Sequence, residues 1–193
     1  MSGGVGGAKL ALGLYRALPA DTLRLIVITG DDFDHLGLRI CPDIDTALYT
    51  LAAIEHPEQR WGRRDETWTL LRVMESLGQP TWFRLGDRDV ALHVLHVLRS
   101  RRLRSGARLT DVIGEVCREP GIAAEILPMT DATVATLVDT DAGELAFQEY
   151  FVRRRCEPRV RSIRFAGAAE APLTSEVRAP ASRLSCCAPR TRT

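Results

Sequence analysis

Apolar positions recur along the chain with two different periods. Leu10 to Leu18 has helical spacing and stops at Pro19. Leu23 to Thr29 is short, β-branched and almost continuously apolar, the pattern of a strand buried on both faces. Gly30-Asp31-Asp32 ends it, and a loop containing Pro42 follows. Asp45 to Ile54 and Asp65 to Leu77 read as helices, the second closed by Gly78 and Pro80. Arg88 to Leu103 reads as another helix, and Thr110 as the N-cap of one running to Arg118.

The second half changes period. Ala124 to Leu127 predicts a short strand. Val134–Val138 and Glu144–Val152 flank Asp139-Thr140-Asp141-Ala142-Gly143 and predict a β-hairpin, with one more strand over Val160–Phe165. Helices alternating with buried strands imply an α/β domain over residues 1–173: a Rossmann-like parallel sheet with flanking helices and an antiparallel hairpin excursion in the second half. No internal repeat is visible. Residues 174–193 lose periodicity and turn to Ser, Arg, Pro, Ala and Cys, which leaves two readings, an irregular tail or an out-of-frame segment. At the other end only Met1 and Ser2 precede the glycines, so the strand that a nucleotide-binding glycine loop expects before it is missing.

Composition narrows the classes. The 193 residues hold 26 basic and 25 acidic side chains, and this near-neutral balance argues against a nucleic-acid binder driven by bulk charge. No apolar run approaches the roughly 20 residues that span a bilayer, and the opening glycines carry no secretory signal. Five scattered cysteines (Cys41, Cys117, Cys156, Cys186 and Cys187) do not suggest a disulfide framework, so a reducing cytoplasm is the expected compartment.

Three groups of residues have chemistry to offer. Gly4-Val5-Gly6-Gly7-Ala8-Lys9 opens a helix, where backbone amides attract phosphate; its spacing fits neither a dinucleotide fingerprint nor a P-loop, so a tight turn explains it equally well. The pairs Asp31-Asp32, Asp43 with Asp45, and Asp87 with Asp89 supply the one or two carboxylates that Mg²⁺ takes, or else ordinary helix caps and turns. Arg84-Leu85-Gly86-Asp87-Arg88-Asp89 sets two arginines about a glycine turn, as a phosphate clamp or as a solvated ion-paired loop. His35, His56, His93 and His96 form no ligand set, and Cys41 before Pro42 reads as a small buried residue.

Six segments together resemble one family. Gly3-Gly4-Val5-Gly6-Gly7-Ala8-Lys9, Thr29-Gly30-Asp31-Asp32, Cys41-Pro42-Asp43-Ile44-Asp45-Thr46, Arg84-Leu85-Gly86-Asp87-Arg88-Asp89, Ile126-Leu127-Pro128-Met129-Thr130-Asp131 and Phe147-Gln148-Glu149-Tyr150 follow the order seen in the 2-phospho-L-lactate transferases (CofD, called FbiA in actinobacteria). The match runs from about residue 3 to residue 172, and members of that family continue past the end of this chain.

The resemblance implies a step of coenzyme F-420 synthesis. A phospholactyl or phosphoenolpyruvyl group passes from a guanosine diphosphate conjugate to the ribityl hydroxyl of the deazaflavin Fo, with Mg²⁺ required and GMP released. It places Asp45 at the deazaflavin and its attacking hydroxyl, and Asp43 with Asp45 at the metal. Arg84 and Arg88 would face the transferred phosphate. Gly4, Gly6 and Lys9 would hold the diphosphate, with Asp31, Asp32, Thr130 and Asp131 lining the substrate crevice. Full-length relatives would be homodimers. Two other readings stand beside it: a nicotinamide-dependent oxidoreductase, and an inactive fragment of the transferase.

Overall fold

A computed structural model describes residues 1–19, 22–95, 106–118 and 121–178. Helix α1 (Gly4–Ala17) leads into strand β1 (Arg24–Val27), a hairpin of β2 (Phe33–His35) and β3 (Leu38–Ile40), then helices α2 (Pro42–Leu51), α3 (Thr69–Ser76), α4 (Asp87–Leu95) and α5 (Leu109–Arg118). Strands β4 (Glu125–Pro128), β5 (Ala135–Thr140) and β6 (Gly143–Ala146) follow, with a π-helical turn (Glu149–Arg153), β7 (Val160–Ala166) and a short helix α6 (Ser175–Arg178).

The parallel element is β1 beside β4, in register from Arg24 opposite Glu125 to Val27 opposite Pro128, its outer end closed by an Arg24–Glu125 ion pair at 2.6 Å. Ser2 adds a parallel bridge on the other side of β1: its N–H donates to the Ile26 carbonyl and its own carbonyl accepts from Ile28. The larger sheet is antiparallel, in the order β6-β5-β7. The chain is therefore mixed α/β. Among the described residues the parallel part is two strands and a bridge rather than an extended sheet, because the second half invests its strands in the hairpin and its return.

Helix α2 is the centre of the core. Every residue from Asp43 to Leu51 is buried, and Ile44, Ala47, Leu48 and Leu51 pack with Ala11 of α1, Leu25 and Val27 of β1, Ile113 of α5 and Ile126 of β4. Cys41, at the N-cap position, is buried in that core, the small buried residue its sequence context predicts.

Several boundaries move, each for a local reason. Helix α1 starts at Gly4 rather than Leu10, because glycine tolerates the left-handed φ of +60° at its first residue. Helix α2 begins at Pro42, so Asp45 lies in its first turn with Asp43 instead of starting it. Helix α3 is shorter than Asp65–Leu77 because Glu66 and Thr67 are used in capping. The β2–β3 hairpin falls where a plain loop was expected; its arms have three residues each and its turn, Leu36-Gly37, has positive φ at both positions. Strand β6 ends at Ala146, and Phe147 stacks on Phe151 across the following π-helical turn.

Residues Thr174–Arg178 are ordered structure rather than irregular tail. Thr174 is buried and accepts from the Val177 N–H, while Arg108 binds Glu176 at 3.0 Å. Residues 179–193, His96 and the distal part of the expected Arg88–Leu103 helix lie outside the described residues.

Candidate functional site

The C-terminal ends of parallel strands are where open α/β sheets place ligands, and the acidic residues gather there. The chain leaving β1 turns at Thr29–Asp32, where the Asp32 N–H donates to the Thr29 carbonyl at 3.3 Å and the Gly30 carbonyl accepts from Thr136 of β5 at 2.6 Å. Across from it, the first turn of α2 presents Asp43 to the start of α1, with Asp45 close to Asp43. The Gly4 N–H donates to Asp43 Oδ1, so the orphan amide of the glycine loop is met by a carboxylate. Asp45 Oδ2 accepts from the Cys41 N–H at 3.3 Å and steadies its own helix.

Asp43 is the most perturbed carboxyl of this corner. Burial pushes its pKa up to about 6 against the pull of the Gly4 hydrogen bond, and the nearby Asp31 and Asp45 charges push the same way. Its Oδ2 is buried with no hydrogen-bond partner. Burial also raises the pKa of Asp31, partly offset by a hydrogen bond from Thr136. A buried oxygen among neighbouring negative charges is the setting a cation would relieve. Among the described residues no group of three or more His, Cys, Asp or Glu side chains forms a ready metal cage. Mg²⁺ does not need one, since it binds through one or two carboxylates plus water and substrate phosphate.

Beside this corner lies a crevice of about 320 Å³ between the β1 turn, the β2–β3 hairpin and the start of α5. Asp32 and Asp131 line it, together with Thr29, Asp34 and Arg39. Asp131 has a second task, because its Oδ1 accepts both the N–H and the hydroxyl of Thr110 at 2.8 Å. Thr110 is thus capped from outside instead of being the N-cap itself.

The other expected positions are placed elsewhere. Thr130 is buried and its hydroxyl donates to the Pro172 carbonyl at 2.6 Å, holding the segment before α6. Gly6 and Lys9 are exposed on the first turns of α1. Arg84 stacks over the Trp68 ring, 4.4 Å from its centroid, beside a separate cavity of about 380 Å³. Arg88 is exposed and pairs loosely with Asp65 at 3.9 Å. The structure therefore joins Gly4, Asp31, Asp43 and Asp45 in one corner and Asp32 with Asp131 in the crevice, and leaves Arg84, Arg88 and Thr130 outside both.

The acids of the Arg84–Asp89 block have structural work. Asp87 accepts from the Thr67 hydroxyl and from the N–H groups of Thr69 and Leu70, capping α3. Glu66 accepts from the N–H groups of Arg88 and Asp89 at 2.8 Å, capping α4 in return. Buried Asp89 accepts the hydroxyl proton of Tyr49 and so ties α4 to α2. Sequence reasoning missed Thr29 and Arg39 as crevice residues. Thr29 was legible, as the position where a buried strand ends; Arg39 depends on a hairpin the pattern did not announce.

Comparison with known proteins adds the family. The model of 2-phospho-L-lactate transferase CofD matches residues 1–181. A phosphoenolpyruvate transferase of Kitasatospora aureofaciens is 42% identical over 159 residues, covering 79% of this chain and 49% of that protein. A 2-phospho-L-lactate transferase of Methanopyrus kandleri is 42% identical over 171 residues, covering 89% and 54%. The chain spans about half the length of these curated relatives. In fold it is similar to the crystal structure of protein BH3568 from Bacillus halodurans, with a TM-score of 0.51 at 13% identity, over 91% of this chain and 52% of that one.

Proposed function

The chain belongs to the 2-phospho-L-lactate transferase CofD family, and from that membership we propose that it carries the acceptor-activating and metal-binding part of a transferase in coenzyme F-420 synthesis. The reaction moves a phospholactyl or phosphoenolpyruvyl group from a guanosine diphosphate conjugate to the ribityl hydroxyl of the deazaflavin Fo. The hydroxyl oxygen bonds to the phosphorus of the transferred group, the bond from that phosphorus to the bridging oxygen breaks, GMP leaves with that oxygen, and the hydroxyl proton passes to solvent water.

One observation carries this reading: a buried, partly unsatisfied carboxylate corner against the amides that open α1, at the C-terminal edge of the parallel strands. Phosphoryl transfer asks for positioning and charge neutralisation more than for covalent help. Asp43 and Asp45 would hold Mg²⁺, which supplies charge neutralisation at the phosphates. Asp45 accepts a hydrogen bond from the attacking hydroxyl, and Gly4, Gly6 and Lys9 bind the diphosphate. Asp32 and Asp131 line the substrate crevice, a Rossmann-like placement, Asp31 stands with Asp43 and Asp45 in the neighbouring corner, and Thr130 holds the segment before α6. Arg84 and Arg88 brace the transferred phosphate, a role that requires Arg84 to leave Trp68. Cytoplasmic location and a homodimer belong to the same reading; among the described residues no helix is long and apolar enough to cross a membrane.

The experiment is a fluorescence titration of the chain with Fo in the presence of Mg²⁺ and GDP. Saturable binding that weakens at least about tenfold in Asp45→Ala, the loss of a charge-assisted hydrogen bond, is expected. No binding by a folded chain, or equal binding by the variant, would overturn the reading.

A further inference from the structure

The turn after β1 holds a second signal. Thr29 is 2% exposed, and its hydroxyl is buried with no hydrogen-bond partner. The surrounding backbone is fixed, through the Thr29–Asp32 turn and the Thr136–Gly30 hydrogen bond, so the side chain is held where it is. It lines the crevice of about 320 Å³. Buried hydroxyls in folded proteins are almost always satisfied, and leaving one orphaned costs free energy in the empty protein. An orphaned hydroxyl on a residue that lines a cavity is therefore available to a ligand atom.

The lining says what kind of atom. Three acidic residues, Asp32, Asp34 and Asp131, line the crevice with one basic residue, Arg39, which is itself paired with Asp34 at 3.6 Å. A cavity of this sign repels phosphate and favours groups that donate O–H hydrogen bonds to acceptors. Its size is at the small end for ligand sites, about 300 Å³ upward. The diphosphate and metal belong instead to the Gly4–Asp43 corner.

We propose that Thr29 is a substrate-binding residue, whose hydroxyl, with the carboxylates of Asp32 and Asp131, receives a polyhydroxylated part of a substrate. This rests on the transferase reading and deepens it. The same chemistry has two sources there, the ribose diol of the guanosine nucleotide and the ribityl chain of the deazaflavin.

The test titrates GDP and Fo separately, with Mg²⁺, into the wild-type chain, Thr29→Val and Thr29→Ser, and records thermal melting of each. Thr29→Val keeps the shape and removes only the hydroxyl. Its expected signature is a melting temperature equal to or above wild type, with an affinity about five- to tenfold lower for one ligand, the worth of one hydrogen bond. Which ligand weakens identifies the source, and Thr29→Ser restores affinity. Unchanged affinity of Thr29→Val for both ligands, or a lowered melting temperature that assigns the hydroxyl a structural role, would overturn the proposal and leave the transferase reading standing. A wild-type chain that binds neither ligand overturns both.

Discussion

Two corners of this molecule solve the same local problem with the same residue type and reach opposite energetic ends. Each helix start leaves backbone N–H groups without partners, and in each corner a carboxylate from another element supplies the acceptor. At the α3–α4 corner Asp87 caps α3 and Glu66 caps α4, and Asp87 has both oxygens engaged. Its pKa is held below the ordinary range, chiefly by the Thr67 hydroxyl. At the α1–α2 corner Asp43 gives one oxygen to Gly4, keeps the other buried and unpartnered, and has its pKa raised to about 6. The carboxylates of the first corner are saturated. The second is under-satisfied, and a protein that tolerates that cost does so where a ligand can remove it. Similar acid motifs in sequence thus separate into a saturated and an under-satisfied corner by how many donors reach each oxygen.

The largest effect comes from breaking the saturated corner. A Cβ at Gly86 would collide with the Glu66 carboxyl carbon and its Oε2. Gly86→Ala therefore expels Glu66 from the start of α4 and leaves the Arg88 and Asp89 amides without their acceptors. Losing the two charge-assisted hydrogen bonds that cap α4 should cost about 2 kcal/mol, read by urea unfolding. A variant as stable as wild type would mean that the mutual capping contributes nothing.

The poised corner should respond with the opposite sign. The folded-state pKa of Asp43 lies above its unfolded value, so the native state binds the extra proton, and the stability this adds is lost as pH rises from about 4 to about 6. Asp43→Asn keeps an oxygen for the Gly4 amide and removes the charge. In metal-free buffer it should be more stable than wild type at pH 7 by on the order of 1–2 kcal/mol, with the advantage vanishing below pH 4. Thermal melts across that range check it; a variant destabilised at pH 7 would show that the carboxylate is already satisfied.

That contrast marks the limit of what the sequence could reveal. The apolar runs over Leu23–Thr29 and Ala124–Leu127 located β1 and β4, since a strand buried on both faces has no other economical explanation. The turn residues at Asp139–Gly143 located the β5–β6 hairpin for the same kind of reason. Capping was not legible, because the partners are distant in the chain: Asp131 serves Thr110, Asp87 serves Thr69, and Glu66 serves Arg88. The acidic pairs could therefore be named but not sorted, and nothing in the arginine block announced that its acids hold two helices together. Thr29 could be placed at a strand end, but its orphaned hydroxyl is a property of its surroundings and not of the residue.

The smallest effect is the sharpest test of the sorting. Asp87 has a folded-state pKa below its unfolded value, so the sign reverses: its contribution is present above the unfolded pKa of about 4 and is lost as pH falls through the lower folded value. Asp87→Asn can still accept one hydrogen bond but has lost the charge that faces the N-terminus of α3. It should melt slightly below wild type at pH 7, by less than Gly86→Ala, and the two should converge as the buffer is taken toward pH 2. Asp43→Asn and Asp87→Asn then depart from wild type in opposite directions at neutral pH, and both departures shrink on acidification. If they depart in the same direction, donors per oxygen is the wrong criterion, and the acidic pairs of this chain divide on some other property than saturation.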